Sequence, residues 1–286
     1  MKTKTNAYKK LMSRLPYRRN KIAPIKAASV EDSFTVRGFL HNRFSFRDLV
    51  TFPSVETRKE FAPFLGPVTT TQVGRVSGYV AMSHVVASSM GTISMAAQQV
   101  IVSLFYCLCP IADSLSLTAQ SFLPSIAARP PSSERSAALR TTVLNFVKAG
   151  AIFGGALVGV VGGIPLISGI FTSDAAVIRL VNSVVPSLVG FFALHGMVLA
   201  CEGALLGQKD LSFLGRMYAV FFFAVPYFML RLKRVALAGT KAVDLTSVWT
   251  VFLGYQTFRA VAWLSRVAFL QTRNEEESSR MLETLV

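Results

Sequence analysis

Apolar residues in this chain come in blocks rather than at a steady amphipathic beat. A helix that crosses a bilayer needs roughly 20 predominantly apolar residues. Blocks of that scale fall at about 64–90, 92–125, 142–163, 175–206, 211–230 and 245–270. The pattern predicts an all-α membrane protein, a bundle of about six transmembrane helices over residues 64–270. A basic polar segment, 1–63, precedes the bundle, and a polar tail, 271–286, follows it.

Breaks between the blocks predict the connections. Ser89-Met-Gly-Thr92 reads as a tight turn. The second block is about 50 Å long as a helix, more than the hydrocarbon core, so a kink at Pro110 and an exit from the membrane at its far end are expected. Pro130 and Pro131 mark a loop over 127–141. The third block repeats small-xxx-small spacing at Gly150/Gly154, Gly155/Gly159 and Gly159/Gly163, which lets helix backbones approach. Lys148 in it is expected to snorkel. Pro165 should end that helix, and Thr172-Ser-Asp174 offers N-cap chemistry for a new one. A short amphipathic run over 175–185 leads through Pro186 into the fourth span. Residues 207–210 form a polar turn and 231–244 a basic loop, and Trp249 and Trp263 read as interface anchors of the last span.

Composition strengthens the membrane reading. The 286 residues are 52% hydrophobic, with mean hydropathy +0.47, well above ordinary soluble domains. The net charge of +15 is unevenly placed: residues 1–60 hold 14 Lys/Arg against 5 Asp/Glu. Beside membrane spans, such a basic segment faces a cytoplasm-like side or anionic lipid rather than nucleic acid. Basic residues before the first span, in 127–141 and in 207–216 agree on one side, and 164–174 has none, while the basic loop 231–244 breaks the alternation. The acid-poor start has the charge of an organelle transit peptide, but Ser is scarce there and no amphipathic helix follows, so a solvated loop is the preferred reading. Residues 44–62 read as an interfacial lead-in to the first span. Three cysteines in apolar runs and three histidines make neither a disulfide framework nor a zinc site. No P-loop, His-Glu-x-x-His or Gly-x-Ser-x-Gly motif is present, which argues against ATP-driven transport and against a membrane enzyme.

Ionisable groups inside apolar blocks are costly and by default mark an ion or substrate path. His195 and Glu202 lie seven residues apart in the fourth block, about two turns along one helix face. The bland alternatives are a packing histidine and a snorkelling glutamate. In the polar first block, Arg75 is either a partner for a carboxylate or an anionic solute, or an interfacial arginine. The second block has a polar side that includes Gln98, Gln99, Asp113 and Gln120. Asp113 follows Pro110 by three residues, beside carbonyls the proline leaves without a donor. It is either a proton or cation site or an interfacial carboxylate in water.

Several of these stretches resemble a known family. Met90-Gly-Thr-Ile-Ser-Met-Ala-Ala-Gln-Gln-Val100 resembles the Gly-x-x-x-x-Ala-Ala-His-Gln-Val of MATE (multidrug and toxic compound extrusion) transporters, with Gln98 at the usual histidine. The stretches 113–124 and 199–213 are most similar to the plant and algal plastid-envelope branch, and 170–180 resembles the entry to the family's tenth helix. The match covers about 44–270 and corresponds to the C-terminal lobe of a twelve-helix transporter, with 7–60 resembling the loop that joins the lobes. Three departures stand out. The N-terminal lobe has no counterpart here, although the family binds substrate between its lobes. His195 stands where many members have an Asp. Arg75 is the charge in the first block, where many eukaryotic members carry an acid.

The resemblance implies a secondary active transporter, or the C-lobe of one, exchanging H⁺ or Na⁺ for an organic solute or xenobiotic. On that reading no cofactor beyond the coupling ion is needed, and the partners are membrane lipid, a small organic solute, and a second copy or an N-terminal lobe. Protonation of Glu202 or Asp113 would shift which side of the cavity is open, His195 would relay or sense the proton, and Arg75 would balance charge. Two alternatives stay open: a partner-dependent half-transporter acting as a structural subunit, and a lipid-linked flippase of the same superfamily. The plastid envelope is implied by resemblance alone.

Overall fold

A computed structural model describes residues 52, 54–239 and 242–283. The chain divides into two units, 1–58 and 59–286. The readings of the basic N-terminal segment, and of the lead-in up to residue 51, lie outside the described residues. Every described element is an α-helix. In chain order they are α1 (Val55–Ser89), α2 (Gly91–Ala127), α3 (Ser133–Gly162), the short α4 (Ile164–Phe171), α5 (Ala175–Gly207), α6 (Leu211–Ala238) and α7 (Leu245–Glu283).

The ends are set by local chemistry. Ser132 caps α3, its hydroxyl accepting the Arg135 N–H at 3.1 Å. Asp174 caps α5 as its sequence predicts, accepting the Ala176 N–H at 2.8 Å. Asp244 caps α7, accepting from the Ser247 N–H at 2.9 Å and hydroxyl at 2.7 Å. Between α1 and α2 the chain turns at Gly91, whose φ of +79° is left-handed and suits glycine.

Four helices, α2, α3, α5 and α6, are long and apolar enough to cross a membrane. The sequence pattern expects six spans; the other two long helices, α1 and α7, are too polar by that measure. They are also the helices that carry Arg75 and Arg259. Several expected boundaries move outward. The loop expected over 127–141 is helical from Ser133, the basic loop expected from 231 is helical to Ala238, and the polar tail continues α7 to Glu283. Hydropathy reports where a helix leaves an apolar medium, whereas the helix itself ends where capping or glycine stops it. Pro165 does not end α3; that helix stops at Gly162, and Pro165 lies in the first turn of α4, where its missing N–H costs nothing.

α5 is the central helix: α2, α3, α4 and α7 all pack on it, while α6 packs on α7 and on α1, where a Cβ at Gly74 would meet the Tyr218 carbonyl oxygen. Glycines also set two of the approaches to α5. A Cβ at Gly150 of α3 would lie 2.6 Å from the Gly196 carbonyl oxygen of α5, and one at Gly203 of α5 would lie 2.5 Å from the Ser116 carbonyl oxygen of α2. Of the predicted small-residue pairs, Gly150/Gly154 makes the α3–α5 contact, while Gly155 and Gly159 have open space beside them.

Candidate ion-coupling and substrate site

Glu202 and His195 are both buried on α5, at 1% and 4% exposure. A carboxylate at that depth needs a full set of donors. Glu202 has four. The Arg75 guanidinium of α1 donates to Oε1. Oε2 accepts from the Tyr218 hydroxyl of α6 at 2.7 Å, from Arg259 Nη2 of α7 at 2.6 Å and from the Trp263 indole N–H at 3.3 Å. Arg259 also donates to Tyr218 at 2.9 Å. Its guanidinium lies over the rings of Tyr218, Tyr255 and Trp263 at 5.7, 5.3 and 5.8 Å, which offsets part of its desolvation.

The network reaches His195 through Gln256. Gln256 Oε1 accepts from Arg259 Nη1 at 3.0 Å, so its amide nitrogen donates to His195 Nδ1 at 3.2 Å. That fixes Nδ1 as an acceptor and puts the ring proton on Nε2. Nε2 is buried with no partner. The imidazole packs among Phe105, Phe191 and Phe192, at centroid distances of 6.4, 5.1 and 5.7 Å. His195 therefore has no onward acceptor among the described residues.

One carboxylate against two guanidiniums leaves a surplus positive charge. Asp113 on α2 is within electrostatic reach of Arg75, Arg259 and Glu202. It is half-buried and makes no hydrogen bond or ion pair with any described residue. Arg75 is the more accessible of the two guanidiniums, with its side chain 27% exposed against 3% for Arg259, while the Nε of each has no partner. The four charges together are balanced, with Asp113 and Arg75 as the members open to change.

The remaining predicted residues divide. Gln98 is buried and accepts the Trp249 indole N–H at 2.9 Å, and Trp249 in turn packs on Phe105 beside His195. Gln99 is exposed. Gln120 is half-buried and donates to Ser116 of its own helix, to the carbonyl at 3.3 Å and the hydroxyl at 3.2 Å. The structure thus gathers Arg75, Glu202 and His195 into one network with Asp113 near it, and leaves Gln99 and Gln120 outside.

Sequence reasoning assigned no role in the site to Arg259, Gln256, Tyr218 or Trp263; Arg259 and Arg266 showed only as two arginines seven apart on one face of the last block. Trp249 and Trp263 read as interface anchors, but both are fully buried with their N–H groups engaged. The signal for Arg259 was present: an arginine in the middle of an apolar block requires a carboxylate, and Glu202 is buried in another. Arg266, one face-repeat further on, finds Asp210 instead, with hydrogen bonds of 2.6 and 3.2 Å.

Over 247 residues the chain is 28% identical to Protein DETOXIFICATION 47, chloroplastic, of Arabidopsis thaliana, covering 85% of this chain and 42% of that protein. The chain spans about two fifths of the length of the curated relative it matches. No family model matches the chain. No solved structure matches it. The all-helical bundle and this likeness agree with the motifs at Met90, Asp113 and Leu199, and together they place the chain's similarity in the plastid branch of the MATE transporters.

Proposed function

We propose that this chain is the C-terminal lobe, or a half-length form, of a MATE-type secondary transporter in a plastid membrane, with a multi-pass bundle over 64–270. It exchanges H⁺ or Na⁺ for an organic anion or amphipath. The observation that carries this reading is the buried charge network on three helices, with one carboxylate beside it left unpaired. Such a group of charges inside an apolar bundle is expensive for packing alone.

Asp113 is the group that takes up and releases the coupling ion. Ionised and free, it competes with Glu202 for Arg75; protonated or ion-bound, it leaves Arg75 to Glu202. Arg75 thus moves between two carboxylates on α2 and α5, and that exchange biases which side of the lobe is open. Glu202 anchors the network. A protonated Glu202 would leave two buried guanidiniums without a counter-charge, so the anchoring role suits it better than the cycling one.

The solute class is argued from the groove between α6 and α7. It holds about 400 Å³ and is lined by apolar and aromatic groups, including Phe221, Val225, Phe228 and Phe258. Tyr255 also lines it, has a buried hydroxyl with no partner, and stacks on Arg259. An apolar wall with a cation behind an aromatic ring suits an aromatic anion. The test is flux of a labelled naphthalene sulfonate in proteoliposomes. Asp113→Asn is expected to reduce the pH-driven component, and Glu202→Gln to reduce total transport. Wild-type rates in both variants would sink the assignment.

A second reading, a half-transporter that works only beside a partner, is favoured by the open small-residue spacing at Gly155 and Gly159 of α3, which would let a second helix approach closely. Transport that appears only on co-expression with a partner lobe would support it.

A further inference from the structure

The polar end of the bundle holds a second cavity, distant in chemistry from the charge network. It has a volume of about 430 Å³ and lies where α2 ends, α3 begins, α5 turns into α6, and α7 continues past its apolar portion. Its floor is apolar, formed by Pro124, Leu139 and Leu270 among others. Three cations line it, Arg135, Lys209 and Arg273, against one carboxylate, Glu277.

The cations are available. Arg273 and Lys209 make no side-chain hydrogen bond or ion pair with a described residue. Arg135 reaches Glu277 at 3.7 Å only, and its Nε is buried without a partner. Lys209 is held at this rim by the α5–α6 turn, where it has a φ of +61° and its N–H donates to the Leu206 carbonyl at 2.9 Å. The extension of α7 is fixed as well. Ser278 donates to the Ser132 carbonyl at 3.0 Å, Ser136 to the Asn274 carbonyl at 2.8 Å, and Asn274 Nδ2 to Gln208 Oε1 at 3.4 Å. These bonds make the cavity a built feature of four helices rather than a fold of loose tail.

We propose that this cavity binds a phosphate-bearing anion: the headgroup of an acidic phospholipid or a free phosphate group. A basic pocket between helices at the interfacial end of a bundle, with an apolar floor beneath it, matches a headgroup and its glycerol backbone. Arginines supply the forked donors that phosphate oxygens favour. The site is independent of transport by Asp113 and does not require it.

The experiment uses the full chain in nanodiscs and in detergent. The probes are phosphatidylglycerol against phosphatidylcholine, and separately inorganic phosphate. Retained lipid is counted by native mass spectrometry and thermal midpoints are recorded in parallel. The variant is Lys209→Gln with Arg273→Gln, two side chains without partners, so folding is kept. Each cation near a membrane surface contributes about 1 kcal/mol, a factor of about five, so the double variant should lose phosphatidylglycerol affinity about 25-fold. Stabilisation by phosphatidylglycerol but not by inorganic phosphate assigns a lipid headgroup; stabilisation by both assigns the phosphate group itself. Equal retention of the two lipids with no response to phosphate, or unchanged affinity in the double variant, overturns the proposal.

Discussion

Glu202 and Asp113 lie within electrostatic reach of each other, yet their surroundings give them different work. Glu202 has four donors and near-zero exposure; Asp113 has none among the described residues. Removing the charge of a buried, paired group strands its partners, at a cost of about 3–5 kcal/mol. Glu202→Gln is therefore expected to lower the thermal unfolding midpoint sharply, because Arg75 and Arg259 then face each other uncompensated. Asp113→Asn breaks no hydrogen bond or ion pair and should lower the midpoint much less than Glu202→Gln does. Equal midpoints for wild type and Glu202→Gln, measured in the same detergent, would show that the network does not hold the bundle. The sequence displayed Glu202, His195, Arg75 and Asp113 because charge inside an apolar block is visible in one dimension. It hid Gln256 and Tyr218, because ordinary polar residues on other helices acquire a role only from the fold.

At the scale of elements, the packing of α5 makes a sharp contrast. Gly150→Ala would place a methyl against the Gly196 backbone and is expected to cost about 1–3 kcal/mol by overpacking. Gly159→Ala meets nothing within 4 Å and should be neutral or stabilising by about 0.5–1 kcal/mol through helix propensity. The two positions are nine residues apart and so lie on opposite faces of α3; the small-residue repeat was legible in sequence while the face that packs was not. Thermal unfolding of the two variants checks this, and a loss at Gly159 as large as that at Gly150 would contradict it. The start of α7 gives a pH dependence. Partial burial pulls the Asp244 carboxyl up, but hydrogen bonds from Ser247 outweigh it and hold the group below its ordinary value of 3.8. A carboxyl lowered in the folded state stabilises above its unfolded pKa, and that stabilisation is lost as pH falls through the lowered folded value. Asp244→Ala should cost about 1 kcal/mol near neutral pH and progressively less as the pH drops below about 4. Helix ends were the least legible feature for a related reason. Ser133 starts α3 and Glu283 ends α7 well outside the apolar blocks, since hydropathy marks the membrane and not the last hydrogen bond.

For the whole molecule, the order of blocks and breaks was enough to predict an all-helical bundle, and the motifs near Met90, Asp113 and Leu199 agree with the curated protein it is similar to. What the bundle adds is the convergence of α1, α6 and α7 on α5 through charge rather than through apolar contact alone. In the proposed function this convergence couples an ion to a solute by way of Asp113. The most direct measurement is naphthalene sulfonate flux in proteoliposomes with and without a pH gradient, for wild type and Asp113→Asn. The gradient is expected to accelerate flux in wild type, and Asp113→Asn to keep gradient-free exchange but lose the acceleration. Acceleration of the same size in both proteins would contradict it.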